Sequence, residues 1–339
     1  MSLKKAIKYR EVWMGLAILW IVWFHSGLQP ENEILNFIKK IGYGGVDIFL
    51  FASGIGCYYS LDKDSDSFNF IKRRIIRIIP TYWTFLLFWI PYKRMADGMS
   101  LRAALGNILC IRNFTGLGGE FNWYISAMWL MYLLAPFFKG LVDKLNAAYK
   151  VILVTIFLVL FSVCFWDVYV YIVTVTRIPI FFLGMYAGKL AKQDFYISKK
   201  CLGILMAVAM AGFGLYVYWQ GIHQEDMWYK GYHWYPFILI TPGLCVAISW
   251  LFELLKKKAG EGLQKVISIP GKFSFEIYLL HIWFFDILEY NLIENGIIQN
   301  SPVVWLIAIV ALIPSCLILH YVQKLIMYVV NGVLKKNRI

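Results

Sequence analysis

In a strongly apolar chain, the ionisable residues that interrupt the hydrophobic runs are the first candidates for chemistry, because each is expensive to hold there. His25 ends the run Leu16-Ala17-Ile18-Leu19-Trp20-Ile21-Val22-Trp23-Phe24, and a neutral imidazole can accept a proton near pH 7. Glu11 precedes it by fourteen residues, which on a helix is roughly 21 Å along the axis and about 40° around it, so both can face one groove. Position alone is equally satisfied by a helix-end histidine that reaches water or a neighbouring carbonyl.

Lys72-Arg73-Arg74-Ile75-Ile76-Arg77 precedes Pro80. Arg74 and Arg77 are three apart and share a helix face, a fork suited to phosphate oxygens. A basic stop to membrane insertion needs no such spacing, although it is the commoner origin of a cluster like this. Asp47 lies in Gly44-Gly45-Val46-Asp47-Ile48-Phe49 with Ser53-Gly54 one turn on, and a helix N-terminus stabilises such a carboxylate without any function. Tyr278 and His281 are again three apart in Ser274-Phe275-Glu276-Ile277-Tyr278-Leu279-Leu280-His281. That spacing serves a hydrogen-bonded pair between helices as well as it serves chemistry. The run Asp226 to Tyr235 carries Trp228, Tyr229, Tyr232 and Trp234, which could stack on sugar rings but is expected to be an interfacial aromatic belt. No spacing points to a metal site, a nucleotide phosphate loop or nucleic-acid binding.

Composition decides what must position these residues. Of 339 residues 60% are hydrophobic and 16% charged, against roughly a quarter charged in soluble domains. An all-α polytopic membrane protein is expected, with about ten transmembrane helices near 11–28, 41–60, 75–93, 123–141, 149–170, 173–191, 201–219, 234–254, 273–290 and 303–330. Pro80 and Pro91 interrupt the third, the fifth and sixth are barely separated, and 101–111 reads as an interfacial or re-entrant helix. The longest polar connection, about 92–122, is too short for a domain, so residues 1–339 form one membrane domain.

The net charge of +13 would suggest nucleic acid in a soluble protein, but the basic residues cluster between apolar runs, as in loops beside anionic lipid. With the N-terminus cytoplasmic, 25 of the 33 Lys and Arg fall on the inner side. Both termini are therefore expected in the cytoplasm. His25-Ser26-Gly27-Leu28-Gln29-Pro30 offers no small-residue cleavage site, so the first run reads as a retained helix. The six cysteines form no C-x-x-C pair and read as packing residues.

Taken together, four segments resemble the acyltransferase-3 family of integral membrane acyltransferases, from about Arg10 to the last span. They are Glu11 through Gly15-Leu16-Ala17-Ile18 to His25; Gly45-Val46-Asp47-Ile48-Phe49 with Ser53-Gly54; Arg74-x-x-Arg77 with Pro80 and Tyr82-Trp83; and Ser274 with Ile277-Tyr278-Leu279-Leu280-His281. One departure stands out: many members carry an arginine three residues after the acidic residue of the first helix, where this chain has Met14. Arg10 could supply that charge.

The resemblance implies transfer of an acyl group, usually acetyl, from cytoplasmic acetyl-CoA or another acyl-CoA to a hydroxyl of a cell-envelope saccharide or lipid-linked glycan, with no metal expected; the short loops and absent eukaryotic targeting features fit a bacterial inner membrane. Arg74 and Arg77, with Arg73 and Lys72 nearby, would hold the CoA phosphates. His25 would act as general base or be transiently acylated, with Glu11 or Asp47 orienting it from a distance. Arg10, Ser53, Tyr278 and His281 are further candidates. The rival readings are a transporter or flippase of a lipid-linked saccharide, for which paired repeats with broken helices are expected and none is found, and an inactive scaffold.

Overall fold

A computed structural model describes residues 1–115, 123–255 and 258–336. Lys256, Lys257 and Arg338, three of the cations assigned to the inner side, and the end of the 92–122 connection lie outside the described residues. The helices in chain order are α1 (Leu3–Ile7), α2 (Arg10–His25), α3 (Glu33–Lys40), α4 (Gly45–Lys63), α5 (Ser67–Asp97), α6 (Leu101–Ile108), α7 (Trp123–Lys144) and α8 (Ala148–Val163), followed by α9 (Tyr169–Val175), α10 (Ile178–Lys192), α11 (Lys199–Ile222), α12 (Tyr235–Leu254), α13 (Lys258–Lys272), α14 (Ser274–Asp286) and α15 (Pro302–Lys336). Among the described residues there is no strand, only a single bridge between Ser2 and Tyr196. The protein is an all-α membrane protein.

By length and composition, six helical stretches can cross a bilayer: Ser67–Asp97, Trp123–Lys144, Tyr169–Lys192, Lys199–Ile222, Tyr235–Leu254 and Pro302–Val329. Glu33–Lys40 with Gly42–Lys63, bent by 42°, makes a seventh if counted as one. The other expected segments are helical but shorter: α2 and α8 have 16 residues and α14 has 13, against the roughly 20 that span hydrocarbon unaided. Lipid explains the surface. Only 17% of the apolar window of α11 and 22% of that of α15 is buried, and α15 presents Val303, Ile307, Val310 and Ile313 outward.

Several boundaries differ from those expected. Pro80 and Pro91 do not interrupt α5, which runs on to Asp97 and so absorbs the start of the 92–122 connection. The Thr84 hydroxyl donates to the Pro80 carbonyl at 2.8 Å, and helices in lipid tolerate an internal proline. The segment expected at 149–170 stops at Val163, and Asp167 at φ 63° turns the chain into the next helix. The structure also contains α13, which no apolar run announces because its hydrophobic residues occupy only one face.

Three pairs of helices pack most closely: α4 with α10, α11 with α12, and α2 with α13. Each meets through glycine from both sides. A Cβ at Gly54 would overlap the Phe181 carbonyl, and one at Gly184 the Phe51 carbonyl. A Cβ at Gly15 would overlap the Ile267 carbonyl and one at Gly271 the Glu11 carbonyl. In lipid, where apolar surface gains nothing by leaving the solvent, such backbone approach is a main source of helix association.

Charge also serves the scaffold. The buried Lys189 ammonium of α10 donates to the carbonyls of Val142, Asp143 and Leu145 at 2.9, 3.1 and 2.7 Å. It closes the C-terminus of α7, whose last carbonyls lack helical partners. Two outcomes follow. In detergent, Lys189→Met lowers thermal stability by about 1.5–3 kcal/mol. Gly271→Ala lowers it by about 1–3 kcal/mol, whereas Gly262→Ala, where a Cβ on the same α13 meets nothing within 4 Å, leaves it unchanged or raises it.

Candidate functional site

Where α2, α4, α5, α7 and α14 converge, they enclose a cavity of about 980 Å³. Arg10, Arg73, Arg74, Arg77, Lys8 and Lys272 line it, against two acids, Glu11 and Glu276. The acids are taken: Lys272 lies 3.8 Å from Glu11, and His320 3.2 Å from Glu276. Arg73 is bound to Asp64 at 2.6 Å, and its guanidinium holds that carboxyl below the usual carboxylate range. Among the described residues no carboxylate pairs with Arg10, Arg74 or Arg77.

Arg74 is held by groups that leave its charge uncompensated. Its guanidinium carbon lies 4.9 Å from the Phe70 ring centroid and 5.3 Å from that of Tyr132, and Nη2 donates to the Gly56 carbonyl at 3.4 Å. Arg10 approaches the same glycine: a Cβ at Gly56 would stand 3.4 Å from its Nη1. Arg77, one turn beyond Arg74, lines the cavity and is exposed. Lys72 is exposed too but does not line the cavity. Phe49, Met128, Tyr124 and Tyr278 also line the cavity, the two tyrosines packed edge to face with centroids 5.1 Å apart. Ser53 and Met14 also lie on its wall, so Arg10 and the Met14 position share one space.

Behind Tyr278 lies His281, which is fully buried. Its Nδ1 is 2.8 Å from the Tyr278 carbonyl and 3.0 Å from that of Ile277. Its Nε2 is 3.3 Å from Nδ1 of His25. His25 Nδ1 also meets the Ile21 carbonyl at 3.0 Å, and the Phe24 ring lies edge to face beside it at 4.7 Å. His25 is exposed as a residue, and it is not part of the cavity wall.

A second charged centre lies on the histidine side of the molecule. Asp47 and Arg177 are each 1% exposed and 3.7 Å apart. Arg177 Nη1 donates to the Val173 carbonyl at 2.6 Å, and its guanidinium sits 4.7 and 4.8 Å from the Trp123 and Trp234 ring centroids. The run 226–235 is therefore not an aromatic belt throughout. Trp234, Met227 and His233 are buried, His233 hydrogen-bonds the Tyr43 hydroxyl through Nδ1 at 2.8 Å, and Trp228 packs on His233 at 4.1 Å. Burial, with the Arg177 charge, pushes the His233 imidazole down to about 4, so it stays neutral at physiological pH.

The structure thus gathers Arg10, Ser53, Arg73, Arg74 and Arg77 at one cavity and joins Tyr278 to His281 and His25. Glu11 stands at the opposite end of α2 from His25, half-exposed beside Lys272. Asp47 hydrogen-bonds no described side chain and faces Arg177. Arg177 falls within the expected span 173–191. Its place inside an apolar span was the signal for it, because an unpaired guanidinium is not left there. Removing one partner of such a pair strands the other: Asp47→Asn destabilises the protein in detergent by about 3–5 kcal/mol, and Asp47→Leu combined with Arg177→Met recovers most of the loss.

The chain matches none of the curated proteins and none of the solved structures. A family model described as an acyltransferase domain, Acyl_transf_3, matches residues 11–321. That match takes in α2 with His25, the arginines of α5, and α14 with His281. Covering essentially the whole chain, it establishes that the protein belongs to the acyltransferase-3 family of multi-pass membrane acyltransferases.

Proposed function

We propose that this acyltransferase moves a short acyl group, acetyl first among them, from acyl-CoA to a hydroxyl of a cell-envelope saccharide or lipid-linked glycan. The observation that carries the donor assignment is the set of three guanidiniums, Arg10, Arg74 and Arg77, around one cavity without a carboxylate for any of them. Converging cations without counter-ions await an anion, and guanidinium forks suit the phosphates of CoA. Arg73 is already engaged by Asp64, so it contributes long-range attraction, as does Lys72.

With the phosphates held there, the pantetheine arm follows α2 away from Arg10. Between Arg10 and His25 the helix climbs fifteen residues, roughly 22 Å. The thioester passes the Tyr124–Tyr278 pair to reach His25, which meets the acceptor. His25 takes the acceptor hydroxyl proton as its oxygen bonds to the thioester carbonyl carbon. The carbon–sulfur bond then breaks, and the CoA thiolate leaves with the proton that His25 returns. Ester and free thiol are the products. By the excess of basic residues on that side, the arginine cavity opens to the cytoplasm of a bacterial inner membrane.

In detergent-purified protein supplied with a lipid-linked glycan extract, Arg74→Ala raises KM for acetyl-CoA about tenfold or more, the equivalent of losing one charge-assisted hydrogen bond. His25→Ala binds CoA normally but loses about a hundredfold or more in kcat. An unchanged KM in the first, or normal turnover in the second, refutes the corresponding role. A transporter of lipid-linked saccharide needs no CoA, so CoA binding that is saturable and sensitive to Arg74 excludes it.

A further inference from the structure

Two histidines from opposite ends of the sequence meet ring to ring, and the surrounding carbonyls decide where their protons are. A carbonyl oxygen only accepts. His281 Nδ1 has two of them, from Tyr278 and Ile277, at 2.8 and 3.0 Å, so Nδ1 carries the proton and Nε2 of the neutral ring presents a lone pair. That lone pair points at Nδ1 of His25, 3.3 Å away, which also faces the Ile21 carbonyl at 3.0 Å. His25 Nδ1 therefore has acceptors on both sides and must itself be protonated. The atom left to accept a proton is His25 Nε2.

We propose that His281 is the positioning residue of this acyltransferase: a neutral histidine that fixes the tautomer of His25 and stabilises its charged form, in the place where base catalysis commonly uses a carboxylate. The inference rests on His25 acting as the base. Neither acid expected to orient His25 does so: Glu11 is at the far end of α2, and Asp47 faces Arg177. When His25 Nε2 takes the acceptor proton, the imidazolium keeps its Nδ1 hydrogen on His281 Nε2 and on the Ile21 carbonyl. After the thioester carbon–sulfur bond breaks, the Nε2 proton passes to the CoA thiolate and both rings return to the starting tautomers. No proton is left over, and His281 never touches either substrate.

A neutral partner suits this location. His281 is fully buried, among Tyr278, Phe285 and His25, and an unpaired carboxylate there would carry a large desolvation cost. The Nδ1 anchors to Ile277 and Tyr278 belong to its own helix α14, so the ring is set by backbone and needs no third side chain.

Two readouts test the assignment. In protein labelled with ¹⁵N-histidine, the long-range proton–nitrogen correlations of the five histidines, assigned by single substitution, show both His25 and His281 protonated at Nδ1; an Nε2-protonated tautomer at either overturns the proposal whether or not turnover is observed. In the transfer assay, His281→Phe folds and binds CoA as the wild type does, with KM for acetyl-CoA within twofold, but kcat falls about a hundredfold. His281→Gln, whose side-chain oxygen can accept from His25 Nδ1, recovers at least tenfold of that loss. Equal losses in the two variants, or no loss in His281→Phe, contradict the role. A wild-type rate that His25→Ala retains refutes the base assignment itself, and that failure is distinguishable from a wrong tautomer.

Discussion

The backbone contact between Gly15 and Gly271 is the constraint on which the rest of this site depends. With no side chain on either glycine, α2 and α13 approach until a Cβ on one would overlap a carbonyl of the other. Ten residues after Gly15 comes His25 at the end of α2, and ten after Gly271, past the turn at Phe273, comes His281 in α14. There His281 Nε2 meets His25 Nδ1 at 3.3 Å. The opposite end of α2, four and five residues before Gly15, delivers Glu11 and Arg10 to the arginine cavity. One helix thus links a place that attracts phosphate to a place that moves a proton, and one glycine pair sets its register.

Buried charge is the second organising theme, and the molecule treats it in three ways. Lys189 spends its charge on three carbonyls that end α7. Arg177 is paired with Asp47 and clasped between two indoles. Arg74 is given two aromatic rings and a glycine carbonyl, Arg10 and Arg77 share its cavity, and among the described residues none of the three has an acid. The first two arrangements find their partners within the protein and hold the fold. The third is complete only with an anion, and this contrast separates ligand-binding cations from structural ones of the same residue type.

Much of this was legible in the sequence because lipid leaves few alternatives. Every long apolar run is helical, since only helices and closed barrels satisfy the backbone without water. His25 and the Arg74–Arg77 pair stood out because polar groups in such runs demand a reason. What stayed hidden depended on contacts between distant segments. Helical geometry allowed Glu11 and His25 to face one groove, whereas Glu11 lines the arginine cavity and His25 is not part of its wall. His281 looked like the partner of Tyr278, three residues away, whereas its ring nitrogen engages His25, 256 positions earlier. Helix α13 was missed because it is amphipathic and short of apolar residues, and the aromatic run at 226–235 was expected at the interface because nothing local announces the Arg177–Asp47 pair that it covers.

The central claim is that acyl-CoA is held on the arginine side while the histidine pair works at the other end of the same helix, and the sidedness of the donor tests it most directly. In sealed vesicles, the face bearing α5 can be identified by labelling Lys72→Cys, in an otherwise cysteine-free chain, with a membrane-impermeant reagent. Labelled acetyl-CoA, which does not cross the bilayer, is then supplied to one side at a time. Transfer of label to glycan only when acetyl-CoA is on the Lys72 face is the predicted result. Transfer from the opposite face alone, or equally from both, would contradict the account.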